Sequence, residues 1–519
     1  MQQTTAAVIG LGAAGLVALK NLKEQGFDVT GFERSSYIGG LWKYSDGDQL
    51  SVLSTTVVNI SKERGCFTDF PYPDSVPSYP TATQVHDYLL SYAKHFDLEP
   101  HFRLNAPIQQ VVFDDQQEQW NVKIEGEEDK YFDKVLIAIG GMIGQPNMPK
   151  IEDLEKFQGK SIHVRYFKRP LDFAGKRVMV VGFGNSAADT STQLAGIADK
   201  IYLAHRHGAR VLPRNYKGGP IDHTHSLRLF NLQCLILKYL PHAGERFFDN
   251  FLKSLQNKSF NIRPEWGFEP AQKVPMVSDN LVNYLEAGKI ESTKGVRRII
   301  DFRTVELDDG RHIEVDSIIW CTGYKSDFSI VDPRFDPTVP PRPTWSSAQG
   351  ANGKSLFRLY LNVFSAEKPE SLAFLGNVHF AASGFQIFDM ASMAIAQVWK
   401  EASELPSKDQ IGHAVAKHHD WLADMASHGY NVSPGNVDAG PWMEVMSDLA
   451  GTGVNQYLGY GWKGWWFWVT NTRFCNLLMG GIWSPCIYRV FDGKRTKWDG
   501  ARNVIAKING KAGEDMKSK

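Results

Sequence analysis

Two stretches of the chain share one pattern, in which a short apolar run leads through a glycine-rich turn into helically spaced apolar positions. The first run is 6–9 and the second is 178–181. Both are uncharged and four residues long, which predicts strands buried on both faces. After the first run we predict a helix over 15–25 that ends at Gly26, and then a strand over 28–32. Two such units predict an α/β fold with two Rossmann-like dinucleotide-binding domains.

The first turn, Gly10-Leu11-Gly12-Ala13-Ala14-Gly15, has the spacing of a phosphate-binding loop. In that loop the first glycine allows the tight turn, the second lets the pyrophosphate approach the backbone, and the third lets helix and strand pack closely. The helix N-terminus then offers free N–H groups to the phosphates. Glu33 ends the next strand, 23 residues after Gly10. A carboxylate there predicts hydrogen bonds to ribose hydroxyls, which favours FAD or NAD over NADP.

The second turn repeats this plan as Gly182-Phe183-Gly184-Asn185-Ser186-Ala187, with alanine in place of the third glycine. The strand that follows, 201–204, leads to Arg206 rather than to an acid. An arginine at this place accommodates the 2′-phosphate of NADP. We therefore expect FAD in the first turn and NADPH in the second.

Further glycines suggest additional cofactor contacts and a domain order. Gly39-Gly40-Leu41-Trp42 is expected to approach the flavin ring. The strand that ends at Thr322-Gly323 is expected to approach a nucleotide or to lie at a chain crossing. The pattern predicts that the NADPH domain is inserted into a discontinuous FAD domain. The predicted ranges are 1–165 and 326–450 for the FAD domain, 166–325 for the NADPH domain with a helical insertion near 220–270, and 451–519 for an aromatic-rich C-terminal extension.

Charge and cysteine content narrow the functional classes. Lysine plus arginine balance aspartate plus glutamate at 57 each, which gives no field for nucleic acid. The five cysteines form no Cys-x-x-Cys pair and no zinc spacing, which argues against a disulfide oxidoreductase and against a metal site. The odd cysteine count and the lack of a disulfide framework fit a reducing compartment, so we expect a cytoplasmic protein. No apolar run is long enough to span a bilayer.

Between the two units lies Phe157-x-Gly159-x-x-x-His163-x-x-x-Phe167, and on this signature the chain resembles the flavin-containing monooxygenases. The similarity extends over nearly the whole length, and Gly500-Ala501-Arg502-Asn503 resembles a segment of the eukaryotic dimethylaniline monooxygenase (N-oxide-forming) type. The related Baeyer–Villiger monooxygenases carry a tryptophan where this chain has Phe167, followed here by Lys168. The resemblance therefore favours oxygenation of nitrogen or sulfur over the insertion of oxygen into ketones. It gives His163 a hinge or cofactor-positioning role.

The resemblance also implies a mechanism and one catalytic residue. NADPH reduces FAD, O₂ forms a C4a-hydroperoxyflavin, and an amine or sulfide substrate takes the distal oxygen. Asn59 matches a family asparagine near the flavin, whose amide can donate to a peroxide oxygen while it accepts elsewhere. Baeyer–Villiger oxygenation, peroxide production of the NADPH oxidase kind, and a non-catalytic FAD-binding protein stay as alternatives.

For two segments the sequence does not decide between a membrane surface, a substrate channel and the protein core. Residues 227–255 predict amphipathic helices that lie on a membrane surface, cover a substrate channel or pack on the core. The aromatic stretch 462–468 suits a membrane interface or a substrate tunnel, but ordinary core is our first expectation. The polar end 513–519 argues against a stable anchor, so peripheral contact with the endoplasmic reticulum and a homodimer remain open.

Overall fold

A computed structural model describes residues 3–268, 275–339, 342–351 and 353–510. Two predominantly parallel sheets organise it, each with helices on one face and a small antiparallel sheet on the other. The predicted α/β fold with two Rossmann-like units is confirmed. The polar end 513–519 lies outside the described residues.

The first sheet has seven strands, and the predicted strand 6–9 lies inside it. Its spatial order is Leu359–Tyr360, Phe364–Ser365, Leu372–Phe374, Lys134–Ile137, Thr5–Ile9, Asp28–Phe32 and Phe102–Arg103. The last five run parallel, whereas the first two form an antiparallel extension. The three-stranded sheet Ile108–Asp114, Gln119–Ile124 and Lys130–Phe132 covers one face.

Helices cover the other face of the first sheet and form the largest apolar core. The helix after the first turn is Ala13–Glu24, and it packs beside Gly384–Trp399. The further helices of this region are Ala82–His95, Pro343–Ser346, Lys408–Ser427, Ala439–Leu449, Val454–Tyr457, Thr472–Gly480 and Ala501–Ile508. Side chains from 454–506 enter the same core as Leu16 and Leu19. The segment predicted as a C-terminal extension thus contributes side chains to the first domain's core.

The second sheet has five strands, all parallel. Its spatial order is Ile290–Thr293, Lys200–Ala204, Arg177–Val181, Ser317–Trp320 and Lys160–His163. Helices Asn185–Leu194 and Leu281–Glu286 pack on one face. The strands Val296–Ile299, Thr304–Leu307 and His312–Glu314 pack on the other. A short parallel pair, Val211–Leu212 with Met276–Val277, extends this domain.

The chain passes between the two domains at one place. The outgoing segment Gln145–Pro146 pairs antiparallel with the returning segment Tyr324–Lys325. Because strand Lys160–His163 already belongs to the second sheet, the crossing precedes the predicted boundary at residue 165. The chain returns to the first domain at Tyr324–Lys325.

Three helices expose apolar stripes. The helical insertion forms the pair Leu227–Tyr239 and Pro241–Ser259, and the aromatic stretch forms the helix Trp462–Thr470, hereafter the tryptophan helix. In the tryptophan helix the residue exposures of Trp462, Trp465 and Trp466 are 72%, 56% and 58%. The expectation that this stretch is ordinary core is therefore wrong, because only Phe467 of its aromatic rings packs against the first domain's core. Within the described residues, no helix combines the length and apolar character needed to cross a bilayer.

A buried ion cluster joins the two ends of the first domain. Arg489 donates to Asp69 at 2.6 Å and to Glu24 at 3.1 Å, and Arg495 also donates to Glu24. Lys20 donates to Asp69 from the first helix. Because all these side chains except Glu24 are almost fully buried, each charge depends on its partners for compensation.

Candidate active site

The two glycine turns are built alike. Gly10 has φ +95° and Gly182 has φ +127°, in the region that favours glycine. A Cβ on Gly10 would lie 2.7 Å from the carbonyl oxygen of Ala138, and one on Gly182 would lie 2.5 Å from that of Cys321. Each turn therefore passes over the end of the neighbouring parallel strand with no room for a side chain.

The second glycine of each turn faces open space. Gly12 and Gly184 are the N-cap residues of their helices, with extended backbones and no side-chain cap. A Cβ on Gly12 would meet only the Cα of Gly40, at 3.7 Å, and one on Gly184 would meet nothing within 4 Å. Because the protein leaves this space unfilled above helix N–H groups, a pyrophosphate fits both places.

The third position holds helix to strand. A Cβ on Gly15 would lie 1.8 Å from the carbonyl oxygen of Gly10, so only glycine fits. The corresponding Ala187 is fully buried in the second core, where the helix stands far enough from the turn to admit a methyl group. Ala13, in the first turn of its helix, is also buried.

The stretch 39–42 lies against the first turn. The N–H of Gly39 donates to the carbonyl of Leu11 at 2.9 Å, and a Cβ on Gly40 would lie 3.0 Å from the Cα of Gly12. Leu41 and Trp42 are half-buried, and the Trp42 ring packs edge-to-face on Phe385. The tryptophan thus anchors this stretch beside the turn.

Glu33 is buried at the end of its strand and faces the first turn. Its Oε2 accepts from the N–H of Leu11 at 2.9 Å, and its Oε1 accepts from the N–H of Ser35 at 3.0 Å. A carboxylate offers about four lone-pair sites, so two remain for hydroxyl donors. This arrangement suits a ribose bound beside the turn.

The end of the second sheet carries basic side chains. The Arg206 side chain is 68% exposed, and its Nε lies 3.6 Å from Oδ2 of Asp308. Lys294 directly follows the neighbouring parallel strand, in which Thr293 pairs with Ala204. Both cations therefore lie at the carboxyl ends of these two strands. Sequence reasoning missed Lys294 because strand order was needed to bring it beside Arg206.

The polar residues of the second turn surround its helix start. Oδ1 of Asn185 accepts from the N–H of Val277 at 3.2 Å, whereas Ser186 is exposed. One turn further along the helix, burial raises the pKa of the Asp189 carboxyl to about 6, and Arg214 opposes that shift. Asp189 is therefore a titratable group on the same helix face as Asn185.

The signature residues hold the domain crossing together. Phe157 packs in the core on one face of the second sheet, and Phe167 packs with Phe173 on the other. A Cβ on Gly159 would lie 2.5 Å from the Phe157 ring, so that glycine allows the aromatic side chain to fold over it. The two aromatic residues of the signature thus pack on opposite faces of the sheet whose edge strand is Lys160–His163.

His163 ties this strand to the returning chain. Its Nε2 lies 2.9 Å from the carbonyl oxygen of Gly323, and its Nδ1 accepts from the N–H of Arg165. These two bonds require the Nε2–H tautomer, and burial lowers the pKa of the ring. Thr322 also bonds across the crossing, from its hydroxyl to the carbonyl of Asn147 at 2.6 Å. Thr322 and Gly323 are predicted as cofactor contacts, but the Thr322 hydroxyl and the Gly323 carbonyl form hydrogen bonds at the domain crossing.

Asn59 lies where the two domains meet. Its Oδ1 accepts from Nη2 of Arg214 at 2.8 Å, and the same guanidinium donates to the carbonyls of Val57 and Val58. Sequence reasoning missed Arg214, because nothing in the spacing of Leu212-Pro213-Arg214 connects it with a loop 155 residues earlier.

A family model decides the class of the protein. The model described as "FMO-like: Flavin-binding monooxygenase-like" matches residues 3–519. The chain belongs to this family. FAD and NADPH are the cofactors of the family, and the prediction of both is confirmed.

Individual relatives of this flavin-binding monooxygenase differ in their reactions. It is 44% identical to "Monooxygenase aurF" of Gibberella zeae over 518 residues, which cover 98% of each chain. Its fold is similar to that of S-allyl-L-cysteine S-oxygenase from Allium sativum, with a TM-score of 0.62, 21% identity, and coverage of 86% of this chain and 89% of that one. It is also similar to NADP⁺-bound cyclohexanone monooxygenase from Rhodococcus sp. Phi1, with a TM-score of 0.60, 18% identity, and coverage of 88% and 99%. At these identities the two structures support the fold alone.

Proposed function

We propose that this monooxygenase transfers one oxygen atom from O₂ to the nitrogen or sulfur of small amines and sulfides, with FAD and NADPH as cofactors. One observation carries the assignment of the cofactors to their sites. The two turns have the same geometry, yet a buried carboxylate faces the first and an exposed guanidinium lies at the sheet edge of the second. That contrast favours FAD in the first turn and NADPH in the second.

The residues of the chain would share the work as follows. Gly12 and Gly184 leave room for the two pyrophosphates, Glu33 accepts from the flavin's ribose, and Arg206 pairs with the 2′-phosphate. Bound FAD, once reduced by NADPH, supplies the chemistry of oxygen activation. The amide of Asn59 offers N–H donors, which suits an oxygen atom that carries developing charge.

Two observations favour heteroatom oxygenation over ketone insertion. Phe167 stands where a tryptophan is typical of the Baeyer–Villiger enzymes, and its ring is buried in the second core rather than offered to a substrate. Ketone insertion remains the second candidate, because the signature departs from its Baeyer–Villiger form only at Phe167 and Lys168.

A substrate panel tests the proposal. NADPH oxidation and H₂O₂ release would be measured with N,N-dimethylaniline, methyl phenyl sulfide and cyclohexanone, with every product identified. We expect an N-oxide or sulfoxide in near-stoichiometric yield with NADPH. An ester from cyclohexanone alone would establish the second candidate, and H₂O₂ as the sole product with every substrate would indicate an oxidase.

A further inference from the structure

A polar contact between the domains surrounds Asn59. Segment 211–223 of the second domain lies against segment 57–64 of the first. The Asp222 carboxylate accepts from the N–H of Ser61 at 2.8 Å, and Arg64 donates to the carbonyl of Asp222 at 2.8 Å. His223 lies 3.2 Å from a carboxylate oxygen of Glu63. We call this pair of segments the interdomain clasp.

Arg214 lies at the centre of the interdomain clasp, and its side chain is 11% exposed. Towards the first domain, Nε donates to the carbonyl of Val58 at 2.9 Å, and Nη2 donates to the carbonyl of Val57 at 3.0 Å and to Oδ1 of Asn59 at 2.8 Å. Towards its own domain, Nη1 donates to Asp279 at 2.9 Å. All three nitrogens of the guanidinium are thus engaged, which fixes its plane.

This contact decides which end of the Asn59 amide is free. The side chain has one carbonyl oxygen and one NH₂ group. A flipped amide would place the NH₂ group against a permanently charged donor, so the carbonyl faces Arg214. Among the described residues, no acceptor is recorded for Nδ2 of Asn59. The NH₂ group is therefore the end presented to a ligand.

The two partners belong to different domains. Residues 57–59 precede the crossing at 145, whereas Arg214 and Asp279 belong to the second domain. A displacement of the second domain would carry the guanidinium away, and the amide would then be free to rotate. Its orientation thus depends on the seating of the second domain on the first.

We propose that Arg214 is the positioning residue of Asn59, and that it holds the amide in its donating orientation only while the two domains are in contact. This rests on the proposed function, in which Asn59 donates to an oxygen in the active site. Loss of Arg214 then removes a fixed donor without altering either glycine turn. Oxygen transfer should suffer, while NADPH binding should not.

The experiment is a double-mutant cycle on the FAD-bound enzyme. It compares Arg214→Met, Asn59→Ala and the double variant. Arg210→Met is the matched control, because Arg210 lies four residues away and bonds to Asp249 of its own domain. The first readout is the fraction of oxidised NADPH that appears as H₂O₂. The second is hydrogen exchange of the 57–61 backbone amides, measured without NADPH.

We expect Arg214→Met and Asn59→Ala each to raise the H₂O₂ fraction about five-fold or more, with no further rise in the double variant. The KM for NADPH should stay within about two-fold, and exchange in 57–61 should accelerate at least ten-fold in Arg214→Met but not in Arg210→Met. Arg214→Lys keeps the positive charge but lacks the planar guanidinium. Its H₂O₂ fraction and its exchange rate in 57–61 should lie between those of the wild type and Arg214→Met.

Other outcomes would overturn the proposal. Effects that multiply in the double variant would mean that Arg214 acts independently of Asn59, and unchanged exchange in 57–61 would mean that it does not hold the segment. If Arg214→Met fails to fold, Arg214→Lys decides the question. Intermediate behaviour of Arg214→Lys supports the proposal, and wild-type behaviour overturns it. If the wild-type enzyme converts all of the oxidised NADPH into H₂O₂, the proposed function is refuted. The exchange measurement would still test whether Arg214 holds segment 57–61.

Discussion

The glycines of the first turn are constrained in different ways. Gly15 has no room for a Cβ, because the Gly10 carbonyl would lie 1.8 Å from it. Gly12 has an ordinary backbone conformation and no close neighbour, so the protein itself tolerates a side chain there. What Gly12 keeps clear is space for a ligand.

These constraints predict opposite phenotypes. Gly12→Val should yield folded protein that lacks FAD, because the side chain occupies the place of the pyrophosphate. Gly15→Ala should instead reduce the yield of folded protein. Flavin absorbance and circular dichroism of the purified variants check this. A yellow, active Gly12→Val variant would contradict the placement of the flavin.

Arg206 gives a second prediction at this scale. Arg206→Ala should raise the KM for NADPH about 10- to 100-fold, since hydrogen bonds to charged groups contribute about 1.5–3 kcal/mol. The KM for NADH should hardly change. Asp308→Asn is the complementary variant, because its carboxylate lies 3.6 Å from the guanidinium and competes with the phosphate. It should lower the KM for NADPH, and equal effects of Arg206→Ala on both coenzymes would refute the phosphate assignment.

Secondary structure elements divide into those that local sequence predicts and those that it does not. The strand before the first turn, its helix and the next strand follow from buried apolar runs and glycine punctuation, and their observed bounds lie within two residues of expectation. The tryptophan helix was misassigned because an aromatic run has the same composition in a core and on a surface. Arg214 and Lys294 were missed because their partners depend on tertiary packing.

The exposed apolar helices predict binding to anionic membranes. Thirteen of the 21 large hydrophobic residues exposed among the described residues lie in 229–251 and 460–469. Segment 460–481 contains Lys463 and Arg473 but no acidic residue. Amphipathic tryptophan rings and a cationic rim suit a lipid interface. We therefore propose peripheral membrane contact through this surface.

Vesicle co-sedimentation tests this contact. The protein should pellet with phosphatidylserine-containing vesicles and much less with pure phosphatidylcholine. The Trp462→Ser/Trp466→Ser double variant should lose at least ten-fold in binding. Leu171→Ser, which removes an equally exposed apolar side chain elsewhere, should bind normally. Protein that stays in the supernatant and sediments alone at twice the subunit mass would indicate a homodimer instead.

For the whole molecule, three desolvated histidines contribute to the response to acid. Burial lowers the pKa of His205, His225 and His418 to about 4 each. The unfolded chain takes up protons near pH 6.5, whereas the folded protein keeps these rings neutral to about pH 4. Stability is thus complete above pH 6.5 and falls as the pH drops towards 4. Asp189, whose pKa is raised to about 6, acts oppositely and offsets part of the loss.

Urea unfolding at pH 7.5 and pH 5.0 checks this prediction. We expect the free energy of unfolding to fall by a few kcal/mol, since one pKa unit corresponds to about 1.4 kcal/mol. His418→Gln, remote from both turns, should reduce the fall by about 2 kcal/mol, which corresponds to about 1.5 pKa units between pH 6.5 and pH 5.0. A pH-independent midpoint would contradict the assignment of neutral histidines.

The buried ion cluster has a consequence for synthesis on the ribosome. Lys20 and Glu24 precede the second domain along the chain, yet Arg489 and Arg495 follow it. The second domain, by contrast, draws its sheet from the continuous stretch 160–320. The nascent chain can therefore complete its inserted domain early, but the domain that surrounds the insertion must wait until Arg489 and Arg495 have been synthesised. The domain whose synthesis begins first is therefore the domain that matures last.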